Sequence, residues 1–221
     1  MAKHRSRVPP VVINREIERG ALYSTPGGIR YFGQWLLDDC VTYPMACNEG
    51  IPINVAQQVS AHLVQYEHLL DMAPCRVSRA FFRELIIFDD YGQNRHKRCR
   101  FSSLREKLSK HIDVTPHTGV FVLRGNSGTR RVLRNEIELA ERLKTTRGFR
   151  IVDPMTCSVK DILSACFGAQ MAVGVEGSHL VHAVMTLKQG SSLLSLMPPF
   201  RFSTVLKDVE RFEKLTGFPI L

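Results

Sequence analysis

Long apolar runs are missing from this sequence of 221 residues: none approaches the ~18 residues that a bilayer-spanning helix requires. The start is basic, Met-Ala-Lys-His-Arg-Ser-Arg. Pro9, Pro10, Asn14, Arg15 and Glu16 then stand where a signal peptide needs an apolar core. An intracellular chain is expected, cytoplasmic and at most peripheral to the inner face of a membrane. Paired cysteines are missing too. The six, at positions 40, 47, 75, 99, 157 and 166, include no Cys-x-x-Cys, which argues against a zinc ribbon and against a disulfide framework. There is one tryptophan, no low-complexity segment and no internal repeat. Two phosphate-binding signatures are also absent: no Gly-x-Gly-x-x-Gly, and no glycine-rich loop ending in Gly-Lys-Ser/Thr.

Positive charge is what the chain has in excess. A formal charge of +9 implies an anionic partner, whether nucleic acid, membrane surface or phosphorylated substrate. With 44% hydrophobic and 23% charged residues the composition is that of an ordinary globular protein, long enough for one large domain or two small lobes.

Val8 to Ile13 reads as an edge strand, and Ser24 to Gly28 as a turn or linker. A helix is expected from Tyr31 to Cys47, with Phe32, Trp35, Leu36 and Cys40 on one side. Asn54-Val-Ala-Gln57 has the pattern of a capping box, followed by Val55, Val59, Leu63, Tyr66 and Leu70 at helical spacing up to Pro74. Glu84 to Asp89 reads as a compact buried strand. Residues 95–110 form a strongly basic helix, either a solvated face or a contact for an anionic acceptor. Beyond residue 118 the pattern becomes regular. Strands 119–123, 149–152, 171–173 and 192–196 alternate with helices 136–147, 159–167 and 178–187, and a last helix opens at Ser203. Such alternation predicts a parallel sheet covered by helices, with ligands at the carboxyl ends of its strands.

Two loops at those ends have anion-binding character: Arg124-Gly-Asn-Ser-Gly-Thr-Arg-Arg131 and Gly174-Val-Glu-Gly-Ser178. Arginines give bidentate contacts to phosphate, glycines let backbone N–H groups approach, and a helix opening at Ser178 adds the positive end of its dipole. Two such loops in one sheet point to a diphosphate site. His179 and His182 stand three apart, but no third ligand is evident, so no metal site is expected and a hydrogen bond to substrate is the role left to them. Glu176 either faces a sugar hydroxyl or a catalytic proton, or closes the turn. Asp38 and Asp39, beside the only tryptophan, either supply a general base or solvate an exposed helix side.

Three ordered blocks resemble glycosyltransferase family 61 (the DUF563 domain), especially its bacterial members. Tyr31-Phe-Gly-Gln-Trp-Leu-Leu-Asp38 is similar to the family's aromatic-x-His-Trp-Leu-x-Asp/Glu. Arg124-Gly-x-x-Gly-x-Arg-Arg131-Val-Leu-x-Asn-Glu136 is similar to its Arg…Arg-(Ile/Val)-Leu-Asn-Glu. Val173-Gly-Val-Glu-Gly-Ser-His-Leu180 stands where the family has Val-Gly-x-His/Glu-Gly-(Ala/Ser)-x-Leu. The resemblance implies an α/β, two-lobed Rossmann-like fold of the GT-B type with a short amino-terminal lobe. Residues 1–118 would form the acceptor side, 119–202 the nucleotide-sugar-binding lobe and 203–221 a C-terminal helix. It further implies an inverting transfer, without metal or other cofactor, from a nucleotide-sugar donor to a glycan or lipid-linked acceptor in surface or capsular polysaccharide synthesis. Arg124, Arg130, Arg131, Gly177, Ser178, His179 and His182 then fall to the donor, and Asp38 and Glu176 to catalysis. Gln34 departs from the family's histidine, which leaves a catalytically degenerate subunit as an alternative. A basic nucleic-acid-binding module ranks below both, since no recognition motif for nucleic acid is present and no specific nucleic-acid partner is expected.

Overall fold

The structure, a computed structural model, describes residues 15–55, 59–90, 94–126, 131–188 and 190–197. The Val8 to Ile13 strand, Arg130 and the helix expected from Ser203 lie outside the described residues.

The first half contains a sheet that the sequence pattern conceals. Strands β1 (Glu16–Leu22), β2 (Ile51–Val55), β3 (Cys75–Val77) and β4 (Phe81–Ile87) pair in parallel in the order β3-β2-β1-β4. Thr25 ends the turn after β1, its hydroxyl accepting from the Gly28 N–H, so the expected linker is instead the cap of α1 (Pro26–Arg30). The helix expected over residues 31–47 is α2 (Phe32–Gln34), a π-helical turn (Trp35–Asp39) and α3 (Cys40–Glu49). In the π turn the Cys40 N–H reaches the Trp35 carbonyl, five residues back.

Two expectations are corrected here. Asn54 caps no helix. It is a buried strand residue whose amide donates to the Tyr23 hydroxyl at 3.0 Å, and helix α4 (Ala61–Leu69) is capped by Ser60. Several polar residues near a helix start offer the same cap chemistry, and Ser60 lies next to the first helical turn. Strand β4 begins at Phe81 and is not buried. It is a sheet edge that leaves Phe81, Leu85 and Ile87 exposed. Helix α5 (Arg95–Ser109), capped by Asn94, matches the basic helix.

The second half follows the alternation. β5 (Val120–Val122), α6 (Glu136–Arg147), β6 (Arg150–Val152), α7 (Val159–Cys166), β7 (Met171–Val175), a 3₁₀ turn (Ser178–Leu180), α8 (Val181–Thr186) and β8 (Ser192–Leu196) give a parallel sheet ordered β6-β5-β7-β8. Gly148 takes the left-handed conformation that ends α6, and Ser158 and Asp161 form a reciprocal capping box on α7.

One continuous core joins the two sheets, from Ala21 through Trp35, Tyr66 and Phe101 to Val120, Ile162 and Met185. Each large side chain buried there contributes about 1.5–3 kcal/mol. Trp35 and Tyr66 are fully buried at the junction, where Phe32 packs 5.0 Å from the His182 ring. Among the described residues no helix is long and apolar enough to cross a membrane.

Candidate active site

In each sheet the strand order reverses once, between β1 and β4 in the first and between β5 and β7 in the second. Carboxyl ends at such switch points leave a crevice that ligands occupy. Of the sequence-predicted residues, Asp38 stands at the first, and Arg124, Arg131, Glu176, Gly177, Ser178 and His179 stand at the second.

At the β5/β7 crevice, parallel pairing of Val122 with Gly174 brings the two anion loops side by side. The Arg124 guanidinium lies directly over Gly177: a Cβ there would sit 1.8 Å from Nη1. The same Nη1 is 3.4 Å from His179 Nδ1. Arg131 pairs with the Glu176 carboxylate, and its Nη1 also donates to the Glu176 carbonyl at 3.2 Å. Glu176 is 1% exposed, so this is a buried ion pair. Burial and the two arginines push the His179 pKa down to about 3, which leaves a neutral imidazole whose Nε2 has no partner among the described residues. Ser178 is exposed and lies against Gly33 of α2, so the first and third sequence blocks meet.

The loop's backbone is held differently from the sequence expectation. The N–H groups of Arg124 and Gly125 donate to the two carboxylate oxygens of Glu136, at 2.8 and 3.0 Å. Gly125 turns the chain at φ +53°, which lets consecutive N–H groups converge on one carboxylate. Glu136 therefore fills the backbone nest, and the cationic groups at this crevice are the Arg124 and Arg131 side chains. The helix expected from Ser178 is a single 3₁₀ turn followed by six α-helical residues, so its dipole is small and the arginines carry the electrostatics.

His182 sits apart from this cluster. Its ring stacks on Tyr66, with Nδ1 2.7 Å from the Tyr66 hydroxyl, and the side chain is fully buried between the sheets. Burial, with His62 and His179 nearby, pushes its pKa down to about 3. Its place is a seam between the halves. His62 spans the same seam to the Cys157 carbonyl, as does Gln65, which accepts from the Val159 N–H.

At the β1/β4 crevice a cavity of about 470 Å³ opens, lined by Thr25, Gln34, Asp38, Ile87, Phe88 and Lys97 among others. Asp38 Oδ1 accepts from the Lys97 ammonium at 2.9 Å, and that ammonium, 3% exposed, also donates to the Asp90 carbonyl. Asp90 is saturated by Arg100 at 2.7 and 2.6 Å and by the Thr42 hydroxyl at 2.9 Å. Asp39 points the other way, fully buried, accepting from the Thr25 N–H and hydroxyl, and burial pushes its pKa up to about 7. The adjacent acids thus differ sharply: Asp38 faces the cavity and Asp39 the interior.

The basic helix is divided. Arg95, Arg98 and Lys110 stay on an exposed face, whereas Lys97, Arg100 and Arg105 turn inward, to Asp38, Asp90 and the Thr186 carbonyl. Sequence reasoning named Asp39 beside Asp38 without separating the two, and its exposed-side alternative does not hold for Asp39, which is fully buried. Lys97 and Glu136 were missed as supports, and of these only Glu136, at the end of the second block, carried a signal. No group of three or more metal-ligating side chains is found among the described residues.

Two parallel sheets, each with polar and charged groups at its switch point, define an α/β protein with two candidate ligand crevices. The profile of the family described as Glycosyltransferase 61 matches residues 32–194, roughly three quarters of the chain. The protein belongs to glycosyltransferase family 61. A search of curated proteins gave no match to the chain.

Proposed function

We propose that the protein transfers a sugar, with inversion, from a nucleotide-sugar donor to a glycan acceptor, in a GT-B arrangement. In this reading residues 1–118 form the acceptor lobe and 119–202 the donor lobe. The observation that carries it is the seating of the Arg124 guanidinium on Gly177 beside Arg131, at the switch point of the second sheet. There the donor diphosphate meets two guanidinium groups, with Ser178 and neutral His179 as hydrogen-bonding neighbours. As the bond from the anomeric carbon to the diphosphate breaks, charge grows on the leaving oxygen and the arginines stabilise it, a task otherwise given to a metal ion. The acceptor hydroxyl attacks from the opposite face and loses its proton to Asp38, the carboxylate that faces the first cavity. Glu176 serves as the resident counter-ion of Arg131, exchanged for phosphate when the donor enters.

Synthesis of surface or capsular polysaccharide suits such an activity, at the inner face of a membrane. A non-catalytic reading is favoured by one observation, the neutral Gln34 carboxamide in the cavity wall next to Asp38. Slow donor hydrolysis that is lost in Asp38→Asn separates the two readings. The primary test is calorimetric titration with UDP, GDP, CDP and their sugar conjugates, using wild type and Arg131→Ala in buffer containing EDTA. Micromolar binding of one nucleotide, lost in the variant, supports the proposal. Absence of binding by all of them overturns it.

A further inference from the structure

The cavity at the β1/β4 crevice has a lining whose charges are already spent, and that decides what fits it. Two carboxylates, Asp38 and Asp90, face two cations, Lys97 and Arg100. Lys97 is bound to Asp38 Oδ1 and the Asp90 carbonyl, and Arg100 to the Asp90 carboxylate and the Val41 carbonyl. No uncommitted cation lines the cavity among the described residues. What remains available is Asp38 Oδ2, an acceptor, and the Gln34 carboxamide, a donor and an acceptor that forms no hydrogen bond among the described residues. Beside them stand Ile87, 70% exposed at the mouth, and Phe88 and Leu22.

A phosphate or carboxylate placed here meets the Asp38 carboxylate with no free cation to compensate. A pyranose matches every element. Its hydroxyls donate to Asp38 and exchange hydrogen bonds with Gln34, and its C–H face lies on Ile87 and Phe88. The volume of about 470 Å³ lies within the ~300–1,000 Å³ of small-molecule sites. We infer that this cavity is the acceptor subsite and takes an uncharged sugar unit, in preference to a phosphorylated, uronic-acid or lipid-pyrophosphate group. The inference rests on the transferase reading and deepens it, because it assigns the acceptor's chemistry from the wall that carries the base. It also separates the duties of the two crevices: the second is cationic and takes the anionic leaving group, and the first is neutral overall and takes the nucleophile.

The test uses the full-length protein and saturation-transfer NMR, with dissociation constants from titration. The probes are methyl glycosides of glucose, galactose, mannose, xylose and N-acetylglucosamine, with the 6-phosphates and uronates of the first three. At least one neutral glycoside is expected to bind in the millimolar range, its charged counterpart at least ~10-fold more weakly. Ile87→Ala and Gln34→Ala each weaken the neutral ligand at least ~5-fold. Ile87 is largely exposed, so that variant keeps the wild-type Tm. The inference falls if no neutral glycoside binds, if a charged counterpart binds as tightly, or if neither substitution changes the affinity. UDP and GDP are titrated in parallel: nucleotide binding with failed glycoside selectivity overturns this inference alone, and the reverse pattern overturns the donor assignment alone.

Discussion

Replacing Gly177 with alanine separates what the loop owes to its backbone from what it owes to Arg124. Gly177 has φ 158° and ψ 171°, a region essentially confined to glycine, and placing a side chain there costs about 1–3 kcal/mol. The new methyl carbon would also lie 1.8 Å from Arg124 Nη1, 2.9 Å from its Cζ and 3.0 Å from His179 Nδ1. The nearest of these is the far end of a flexible side chain, so the guanidinium swings away at small cost to the fold. The cost appears in ligand affinity instead. A charge-assisted hydrogen bond contributes about 1.5–3 kcal/mol, so donor affinity should fall roughly 10- to 100-fold. Backbone strain should separately lower the Tm, by about 2–4 °C per kcal/mol in a chain of this length. Calorimetric titration with the nucleotide bound by wild type, together with thermal unfolding, reads the two effects independently. In an Arg124→Ala background the affinity loss from Gly177→Ala should vanish while the Tm loss persists. Wild-type affinity in the single variant, or a full affinity loss retained in the Arg124→Ala background, would refute the assignment of Arg124 to the donor.

Three further outcomes follow from the supporting groups. Asp39 is held near pKa 7 against an ordinary 3.8, so the folded state keeps its proton longer than the unfolded one, and its stabilising contribution is lost as pH rises from about 4 to 7. Asp39→Asn should therefore gain on wild type across that window, by up to about 4 kcal/mol at pH 7 and above, whereas a flat difference in urea midpoints with pH would count against it. His179 and His182, held down near 3, act with the opposite sign, losing stability as pH falls from about 6.5 towards 3, and taking the difference between variant and wild type removes their contribution. Glu136→Gln leaves one of the two N–H groups facing an amide NH₂ and should cost about 1–2 kcal/mol in urea unfolding, with a smaller loss of nucleotide affinity than Arg124→Ala. Lys97→Met strands the half-buried Asp38 carboxylate at a cost of about 2 kcal/mol, and the Asp38→Asn/Lys97→Met double variant should recover part of it; an unrecovered loss would mean that Lys97 acts mainly through the Asp90 carbonyl.

The second sheet was legible because its strands are apolar and its helices amphipathic, with caps and glycine stops in register with the pattern. The first sheet was not, for reasons that individual residues make plain. Strand β1 carries Glu16, Glu18 and Arg19, because the Glu16 and Glu18 side chains pair with Arg83 across to the edge strand and Arg19 with Glu84. Asn54 in β2 imitates a cap, and its hydrogen bond to Tyr23 depends on a contact across 31 positions. The same limit applied to the site. Arg124 and Gly177 were recognisable as loop chemistry, and their contact follows from one parallel pairing, β5 with β7. Lys97 was hidden among cations of identical type, since only tertiary packing distinguishes a buried lysine from a solvated one. Asp38 and Asp39 are indistinguishable by residue type, and the local backbone sends them to opposite environments.

The π turn at Trp35–Asp39 makes length, rather than residue identity, the sensitive quantity in this segment. Ahead of it, Phe32 and Gly33 are phased to meet His182 and Ser178. At its end Asp39 meets Thr25, and behind it Thr42 is phased to meet Asp90. The surplus residue is the clutch between these two meshings. Deleting one position there would restore ordinary α-helical pitch and turn one half against the other by about 100°. A substitution that keeps the backbone hydrogen bonds leaves the gearing intact, whereas a one-codon deletion would disengage the two crevices from each other at once.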